Sequence, residues 1–234
     1  MQKNNVILLT FVSLICAFFA FGCVSADFSD DFSQEDYEAR GWTSRLLFGK
    51  PDLDYLYPMS DRLSIHMPDY NTAIYLLNEN TNTDDSTVEV TFENAFSRHG
   101  EVGIVCRYHE DGWYELRAVL SGQYAGSYAL YRYDESLRAK KKNPFVSLHP
   151  DLDRFYTMDI NVGRNEQNTF KMVCEGEKIR IFINGNEQNS PWNKEFWAME
   201  YKDGLNGFSV WTETPYGLAQ IDAINFRSLF DDAE

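Results

Sequence analysis

A set of aromatic and charged side chains alternates with apolar ones along several predicted strands, which places the whole set on the solvent side of those strands. Its members are Arg107, His109, Trp113, Glu115, Arg117, Trp211 and Glu213. Aromatic rings pack against the apolar C–H faces of sugars, and charged side chains exchange hydrogen bonds with sugar hydroxyls. The pattern indicates a glycan-binding face, with Arg107, Trp113, Glu115, Arg117 and Trp211 as the candidate ligand-binding residues.

The same residues also have a purely structural interpretation. Arg107, Glu115 and Arg117 can form a lattice of ion pairs across neighbouring strands, and a loop such as residues 191–201 can cover the two tryptophans. Exposure of Trp113 and Trp211 in an open groove favours glycan binding. Burial of both beneath that loop favours a structural role.

Other chemistries have no recognisable pattern in this sequence. The four histidines lack metal-ligand spacing, and no nucleophile elbow or glycine-rich phosphate loop is present. The tetrapeptide Pro-Asp-Leu-Asp occurs at 51–54 and again at 150–153, but neither copy has the glycine or the distal glutamate of a calcium-binding EF-hand loop. We therefore interpret the repeated aspartates as turn residues and predict no metal site, no cofactor and no catalytic residue.

Two cysteines, Cys106 and Cys174, are predicted to point inward from their strands. In an oxidising compartment they could form a disulfide, which would add on the order of 4–5 kcal/mol by restricting the unfolded chain. They could instead be two small apolar core residues that do not meet. Both interpretations stay open at this stage.

Alternation of apolar and polar residues recurs along most of the chain and predicts short strands separated by turns. The predicted strands cover residues 87–93, 102–109, 113–120, 128–133, 158–162, 170–174, 178–183, 207–212 and 219–226. Turns are indicated by Asp111-Gly112, Asn184-Gly185 and Asp203-Gly204. The best helical candidate is one turn near residues 33–39. The sequence therefore predicts an all-β domain.

The N-terminal segment has the features of a signal peptide. Lys3 precedes an apolar run from residue 6 to residue 21, and Val24-Ser25-Ala26 fits a signal peptidase site, so we expect cleavage before Asp27. Residues 1–26 would then be the signal peptide, and residues 27–234 one secreted or cell-surface domain without a membrane span. The alternative is a lipoprotein anchored at Cys23.

The charge of the chain restricts its partners. It has 36 acidic and 21 basic residues, so loss of Lys3 leaves 20 basic residues and a formal charge of −16. Such a charge repels phosphate backbones and anionic lipids, which disfavours nucleic-acid binding and leaves neutral glycans or cell-surface partners. The one basic run, residues 138–142, is interpreted as a solvated loop.

Several segments resemble those of exported bacterial domains with the concanavalin A-like lectin/glucanase fold. These are residues 28–33 with Gly41-Trp42, residues 102–108 with 113–117, residues 170–176 with 178–185, and residues 204–212 with 220–226. The resemblance implies a two-sheet antiparallel β-sandwich of the jelly-roll kind. This fold includes lectins, laminin G-like adhesion modules and glycosidases, so it defines function less closely than architecture.

The resemblance also allows a test for catalysis. Laminarinase-type glycosidases of this fold place their carboxylates on one strand as Glu-x-Asp-x-Glu, and this sequence has no such triplet. The predicted function is therefore a non-catalytic extracellular carbohydrate-binding or adhesion module. A structural or protein-interaction β-sandwich without a glycan site is the alternative. A glycoside hydrolase with carboxylates from different strands ranks third.

Overall fold

The fold was analysed in a computed structural model that describes residues 27–34, 36–50, 55–59, 62–96, 98–149, 153–188, 196–198, 200–213 and 217–228. These residues form two antiparallel β-sheets, which confirms the predicted all-β sandwich. The expected signal peptide, residues 1–26, lies outside the described residues and stays a prediction. No helix in the described part of the chain is long and apolar enough to cross a membrane.

One sheet has nine strands within the described residues. They are β1 (Phe28–Asp30), β3 (Leu56–Met59), β4 (Arg62–Met67), β6 (Ser86–Asn94), β12 (Gln167–Glu175), β13 (Lys178–Ile183), β14 (Asn186–Glu187), β15 (Phe196–Trp197) and β17 (Gly217–Ser228). Their order is β14-β13-β12-β6-β17-β4-β3, with β1 paired to β17 and β15 paired to β13. We call this the nine-stranded sheet.

The eight-stranded sheet packs against it. Its strands are β2 (Trp42–Phe48), β5 (Thr72–Asn78), β7 (Gly100–Tyr108), β8 (Gly112–Ser121), β9 (Ser127–Asp134), β10 (Phe145–Ser147), β11 (Phe155–Tyr156) and β16 (Leu205–Thr212). Their order is β10-β9-β8-β7-β16-β5-β2, and β11 pairs with β9. The predicted hairpin at Asp111-Gly112 is the β7–β8 connection.

The main core lies between the sheets and follows the predicted alternation. On β6, Val88, Val90 and Phe92 are fully buried, while the residues between them are partly exposed. The strand therefore has one core face and one solvent face, as a half-buried strand should. Most of the free energy that holds the sheets together comes from removing such apolar surface from water.

A disulfide between Cys106 and Cys174 joins the two sheets through this core. Cys106 lies on β7 and Cys174 on β12, and their Cα atoms are 6.9 Å apart. The bond joins residues that lie 68 positions apart in the sequence. It therefore closes a long loop of the unfolded chain and contributes about 4 kcal/mol to the free energy of unfolding in the chain-entropy model.

Two local predictions differ from the structure. The strand predicted at residues 158–162 is wrong, because this segment is a turn held by side chains: the Asp159 carboxylate accepts hydrogen bonds from Asn186 and Gln188 at 2.9 and 2.7 Å. The short α-helix α1 (Glu135–Ala139) is not among the predicted elements. Its last two residues are the first two of the basic run at 138–142, which the sequence predicts as a loop. Asp134 caps it by accepting a hydrogen bond from the Ser136 backbone nitrogen. The predicted helical turn near 33–39 corresponds to a 3-10 helix at Glu38–Arg40.

Candidate functional site

The outer face of the eight-stranded sheet, which turns away from the main core, carries a second buried cluster. Its buried members are Ala73, Tyr75, Leu77, Val105, Trp113 and Tyr133. The cause is visible in β5, where every residue of Thr-Ala-Ile-Tyr-Leu-Leu-Asn is buried and apolar side chains leave both faces of the strand. A strand that is apolar on both faces must be covered on both faces. This outer face is therefore partly closed by its own side chains.

Trp113 belongs to this buried cluster, which corrects its predicted exposure. Its side chain is only 2% exposed, and its ring stacks on Tyr133 with centroids 3.7 Å apart. Tyr75 and Tyr108 pack against other parts of the same ring. The parity that pointed Trp113 away from the main core is correct, but neighbouring tyrosines remove its aromatic faces from solvent.

Glu115 is also buried, which corrects the prediction that it is available to a ligand. Its carboxylate accepts hydrogen bonds from four side chains, with donor–acceptor distances from 2.7 to 3.3 Å: Tyr75, Trp113, Arg117 and Ser209. Arg117 donates to both oxygens through Nε and Nη2. A buried carboxylate is stable only when it is paired in this way. Both oxygens of Glu115 are therefore occupied by side chains of its own sheet.

Arg107 lies away from the other candidates because of a β-bulge. Between β7 and β16, Val105 pairs with Gly207 and Tyr108 with Leu205, so two residues of β7 face one of β16. The bulge shifts the side-chain parity, and Arg107 adopts a positive φ of 54°. Its buried guanidinium binds the Asp84 carbonyl and the Asp85 carboxylate. The predicted ion-pair lattice is therefore wrong for Arg107, which does not join the pair that Glu115 forms with Arg117.

Arg117 and Trp211 lie together on the outer face, but Arg117 is buried, which corrects its predicted exposure. The Arg117 guanidinium carbon is 3.7 Å from the centre of the Trp211 ring, 4.3 Å from that of Phe145 and 5.2 Å from that of Tyr131. The nearby carboxylate of Glu115 raises the pKa of Arg117 although burial opposes this. Arg117 is a permanent cation enclosed by aromatic rings, an arrangement that stabilises it by cation–π attraction.

Beside Arg117, Trp211 forms the wall of a cavity of about 310 Å³, which we call the Trp211 pocket. It is lined by Phe48, Asn71, His99, Glu101, Arg117, Arg154, Trp211, Thr212 and Glu213. Trp211 is partly exposed and Phe48 is 38% exposed, with their ring centroids 5.7 Å apart. The pocket therefore combines accessible aromatic surface with charged groups.

Glu101 is the centre of the charged groups in the Trp211 pocket. One of its carboxylate oxygens lies 3.0 Å from His99 Nε2 and 3.0 Å from Arg154 Nη2. Burial acts to raise the pKa of Glu101, but the His99 hydrogen bond and the charges of Arg117 and Arg154 lower it to about 2. The same hydrogen bond raises the pKa of His99, against the effect of burial.

One guanidinium nitrogen of Arg154 makes no hydrogen bond within the described part of the chain. Its Nη2 is bound to Glu101, whereas Nη1 is shielded from solvent and has no hydrogen-bond partner among the described residues. A buried donor without an acceptor costs about 1–3 kcal/mol, so a ligand that offers an oxygen there gains the free energy of that missing bond. This unpaired donor belongs to a residue that lines the pocket.

Sequence reasoning missed Phe48, His99, Glu101 and Arg154 as site residues. Glu101 could have been found, since it has the same parity as Gly103 and Val105 and needed only an earlier start for β7. Arg154 could not, because it lies between strands and reaches Glu101 from 53 residues away. Within the described part of the chain, no group of three or more His, Cys, Asp or Glu side chains could hold a metal ion.

Comparison with solved structures gives the same architecture at low sequence identity. The carbohydrate-binding module CBM66 from Bacillus subtilis superposes with a TM-score of 0.57 and 12% identity, covering 80% of this chain and 96% of that one. A prokaryotic β-1,3-1,4-glucanase (lichenase) from a mouse hindgut metagenome has a TM-score of 0.57 and 10% identity, with 87% and 99% covered. The exoplasmic/lumenal domain of VIP36, bound to Ca²⁺ and Man3GlcNAc, has a TM-score of 0.53 and 11% identity, with 85% and 88% covered.

No family model matches the sequence, and comparison with curated proteins gives no match. The structural similarities nevertheless define the class: the chain has the concanavalin A-like lectin/glucanase β-sandwich fold. The resemblance inferred from short sequence segments is thereby confirmed at the level of fold.

Proposed function

We propose that this protein is an extracellular carbohydrate-binding module that holds a neutral glycan in the Trp211 pocket. The observation that carries the proposal is the combination, in one pocket, of the accessible rings of Trp211 and Phe48 with the buried, unpaired Nη1 of Arg154. Sugars need both kinds of group, since their C–H faces stack on rings and their hydroxyls need donors and acceptors. The carbohydrate-binding module CBM66 and the Man3GlcNAc-bound domain of VIP36 among the structural neighbours support this assignment.

The charges around the Trp211 pocket favour a neutral ligand. The positive groups are His99 when protonated, Arg117 and Arg154, and the negative groups are Glu101, Glu115 and Glu213. These sets cancel when His99 is protonated and leave one net negative charge when it is neutral. An acidic sugar would therefore gain no net attraction at any pH where these carboxylates are ionised.

Two observations favour binding over glycoside hydrolysis. A glycosidase of this kind needs a protonated carboxylic acid beside the scissile bond, and a pKa of about 2 keeps Glu101 ionised. The oxygens of Glu115 are occupied by side chains of the same sheet. The pocket can therefore hold a sugar without supplying a proton from either of these residues.

A test of the pocket begins with a glycan-array screen of residues 27–234 and continues with titration of the glycan that binds best. We expect Trp211→Ala to weaken binding roughly ten- to hundredfold, as loss of an aromatic anchor commonly does. Trp197→Ala is the matched control, because Trp197 is 48% exposed on the other sheet. Equal affinities for the two variants would contradict the proposed site, as would an array without any binding.

Export is part of the proposal. It is supported by the signal-peptide pattern of residues 1–26 and by the Cys106–Cys174 disulfide, a bond typical of oxidising compartments. N-terminal sequencing of the secreted protein should give Asp27 as the first residue. Intact-mass measurement after alkylation under denaturing conditions without reductant should show both cysteines unlabelled. A lipid-modified Cys23 at the N-terminus would change the proposal to a membrane-tethered module.

A structural or protein-interaction domain is the second candidate. Burial of Trp113 and Glu115 favours it, because these residues of the outer face serve packing and ion pairing. The side chains that cover Trp113 differ from the expected loop, because they are three tyrosines of the same sheet: Tyr75, Tyr108 and Tyr133. Residues 191–195 of the loop expected to cover the tryptophans lie outside the described residues. A Trp211→Ala variant that loses stability while glycan affinity is unchanged would favour this candidate.

A further inference from the structure

A second cavity lies on the same face of the eight-stranded sheet, and nothing above assigns it a role. It has a volume of about 340 Å³, and we call it the Tyr108 pocket. It is lined by Arg45, Leu46, Leu47, Tyr75, Tyr108, Glu110, Trp113, Tyr133, Glu135 and Arg138. Ligand sites in proteins commonly have volumes from about 300 Å³ upward, so each of the two cavities reaches that range.

The two pockets are neighbours with a continuous aromatic floor. The Tyr75 ring contacts Trp211, which lines the first pocket, and Trp113, which lines the second, with centroid separations of 6.0 and 5.1 Å. At the rim, the guanidinium carbon of Arg138 lies 5.3 Å from the ring centre of Phe48. Phe48 lines the Trp211 pocket and Arg138 lines the Tyr108 pocket, so the two cavities meet at this side-chain contact.

The Tyr108 pocket has the same balance of charge as its neighbour. Arg45 and Arg138 oppose Glu110 and Glu135 around it. The side chains of Arg45 and Glu110 form no hydrogen bond or ion pair with other residues in the described ranges, and both are exposed. They therefore supply one free donor group and one free acceptor group, as an uncharged polyhydroxylated ligand requires.

The half-buried Tyr108 supplies the aromatic surface. Its ring packs on Trp113 with centroids 4.9 Å apart, and burial raises the pKa of its hydroxyl, so the side chain stays neutral. The buried Tyr133 is fixed on the other side of Trp113, where its hydroxyl contacts Glu135 and Arg138. This half of the face is rigid before any ligand binds, which lowers the entropy cost of binding.

We propose that the Tyr108 pocket is a second sugar subsite, and that one glycan chain occupies both pockets at once. The protein would then bind a stretch of a neutral polysaccharide several sugars long, and a single terminal sugar would fill only part of the site. The proposal rests on the proposed function of the Trp211 pocket. The shared floor and the Phe48–Arg138 contact at the rim where the cavities meet favour one continuous ligand over two separate ones.

The experiment is calorimetric titration of residues 27–234 with gluco- and manno-oligosaccharide series, each from disaccharide to octasaccharide, chosen because a glucanase and a Man3GlcNAc-bound domain are among the structural neighbours. Affinity should rise with chain length and then level off once both pockets are filled. Arg45→Ala is the informative variant, because this exposed side chain can be removed without opening the core. It should weaken binding of the long chains roughly tenfold, the equivalent of one hydrogen bond to a charged group, and leave the disaccharide unaffected.

Controls separate the two proposals. Trp211→Ala should weaken short and long chains alike, and Arg180→Ala, an exposed arginine of the nine-stranded sheet, should weaken neither. If chains bind but their affinity does not depend on length, or Arg45→Ala binds long chains like the wild type, the second subsite is overturned and the Trp211 pocket stands. If neither these series nor any glycan of the array binds to the wild type, both proposals are overturned.

Discussion

The outer faces of the two sheets are built differently. On the nine-stranded sheet, solvent-facing residues form ordinary cross-strand pairs, such as Lys171 with Glu89 at 3.2 Å, whose side chains are about one third exposed. On the eight-stranded sheet, Glu115 and Arg117 form an ion pair that is almost completely buried beneath aromatic rings. Both faces bring opposite charges together, but only the second removes them from water.

This difference separates a solvated surface from a built site. Exposed ion pairs contribute little to stability, because water screens them and two flexible side chains must be ordered. Burial of a carboxylate and a guanidinium costs several kcal/mol of desolvation, which is recovered only through many hydrogen bonds, and one aromatic or aliphatic residue in each place could cost less. The eight-stranded sheet therefore carries a polar arrangement that stability alone does not require.

Replacing the central carboxylate should give the largest effect. Glu115→Ala leaves the Arg117 guanidinium buried without its main partner and also removes the acceptor for Tyr75 and Ser209. We expect the free energy of unfolding to fall by about 3–5 kcal/mol in chemical denaturation. Glu89→Ala on the nine-stranded sheet is the matched control, with an expected loss below about 1 kcal/mol. Similar losses for both variants would remove the distinction between the faces.

The free energy of unfolding should depend on acid pH through Glu101, which lies on the eight-stranded sheet. Because its pKa falls from the ordinary range to about 2 on folding, its contribution is complete above about pH 4.5 and is lost as the pH falls toward 2. The loss for this one group should be about 3 kcal/mol. His99 has a raised pKa, so its contribution is present below about pH 6.5 and is lost as the pH rises through that raised value.

The measurement is the free energy of unfolding between pH 2 and pH 8 for wild type and Glu101→Gln. The variant should lack the acid-dependent loss that Glu101 causes. Glu93→Gln, on the nine-stranded sheet beside Arg62, is the control for loss of a carboxylate from a cross-strand ion pair, and it should keep the acid-dependent loss that Glu101 causes. Identical acid profiles for Glu101→Gln and the wild type would show that this carboxylate is not stabilised as its contacts indicate.

Arg154→Gln should affect binding more than folding. The substitution removes the unpaired Nη1 and one partner of Glu101, while His99 and Arg117 continue to stabilise that carboxylate. Glycan affinity should fall roughly tenfold, measured by titration with the best array ligand. Arg180→Gln on the other sheet should bind like the wild type. Unchanged affinity in Arg154→Gln would show that the ligand does not use this donor.

Lys171→Ala should give the smallest effect. It breaks the partly exposed pair with Glu89 and a contact of the Lys171 ammonium with the Phe182 ring, so we expect a loss of unfolding free energy of about 0.2–1 kcal/mol that shrinks in high salt. Thermal melting at low and high ionic strength measures it. A loss comparable to that of Glu115→Ala would mean that the nine-stranded sheet also depends on specific ion pairs.

Much of the fold could be predicted from alternation. Alternation predicts the buried residues of β6 and β8 correctly. Successive side chains of a strand point to opposite faces, so every second residue of these strands points into the core. The failure at Arg107 came from one extra residue in β7, which shifts parity and leaves no distinct signal in the sequence. The alternation between 158 and 162 was misleading, because hydrogen bonds to Asp159 favoured a turn there.

The candidate site was predicted in part. Arg117 and Trp211 were found because both lie on regular strands with the outward parity. Burial of Trp113 and Glu115 depends on what covers them, and the covering rings come from β5, β7 and β9, so strand parity alone could not reveal it. Arg154 reaches the pocket from outside any strand, and only the folded chain shows that it meets Glu101.

The guanidinium of Arg117 has a consequence for the optical properties of the protein. It lies against the Trp211 indole, and both side chains line the pocket, so the ring has a fixed cation beside it. A molecule that enters the pocket changes the polarity around the ring, while the cation stays in place. The fluorescence of Trp211 should therefore act as a built-in reporter of pocket occupancy, and Trp42, which is buried in the main core, should give a constant background.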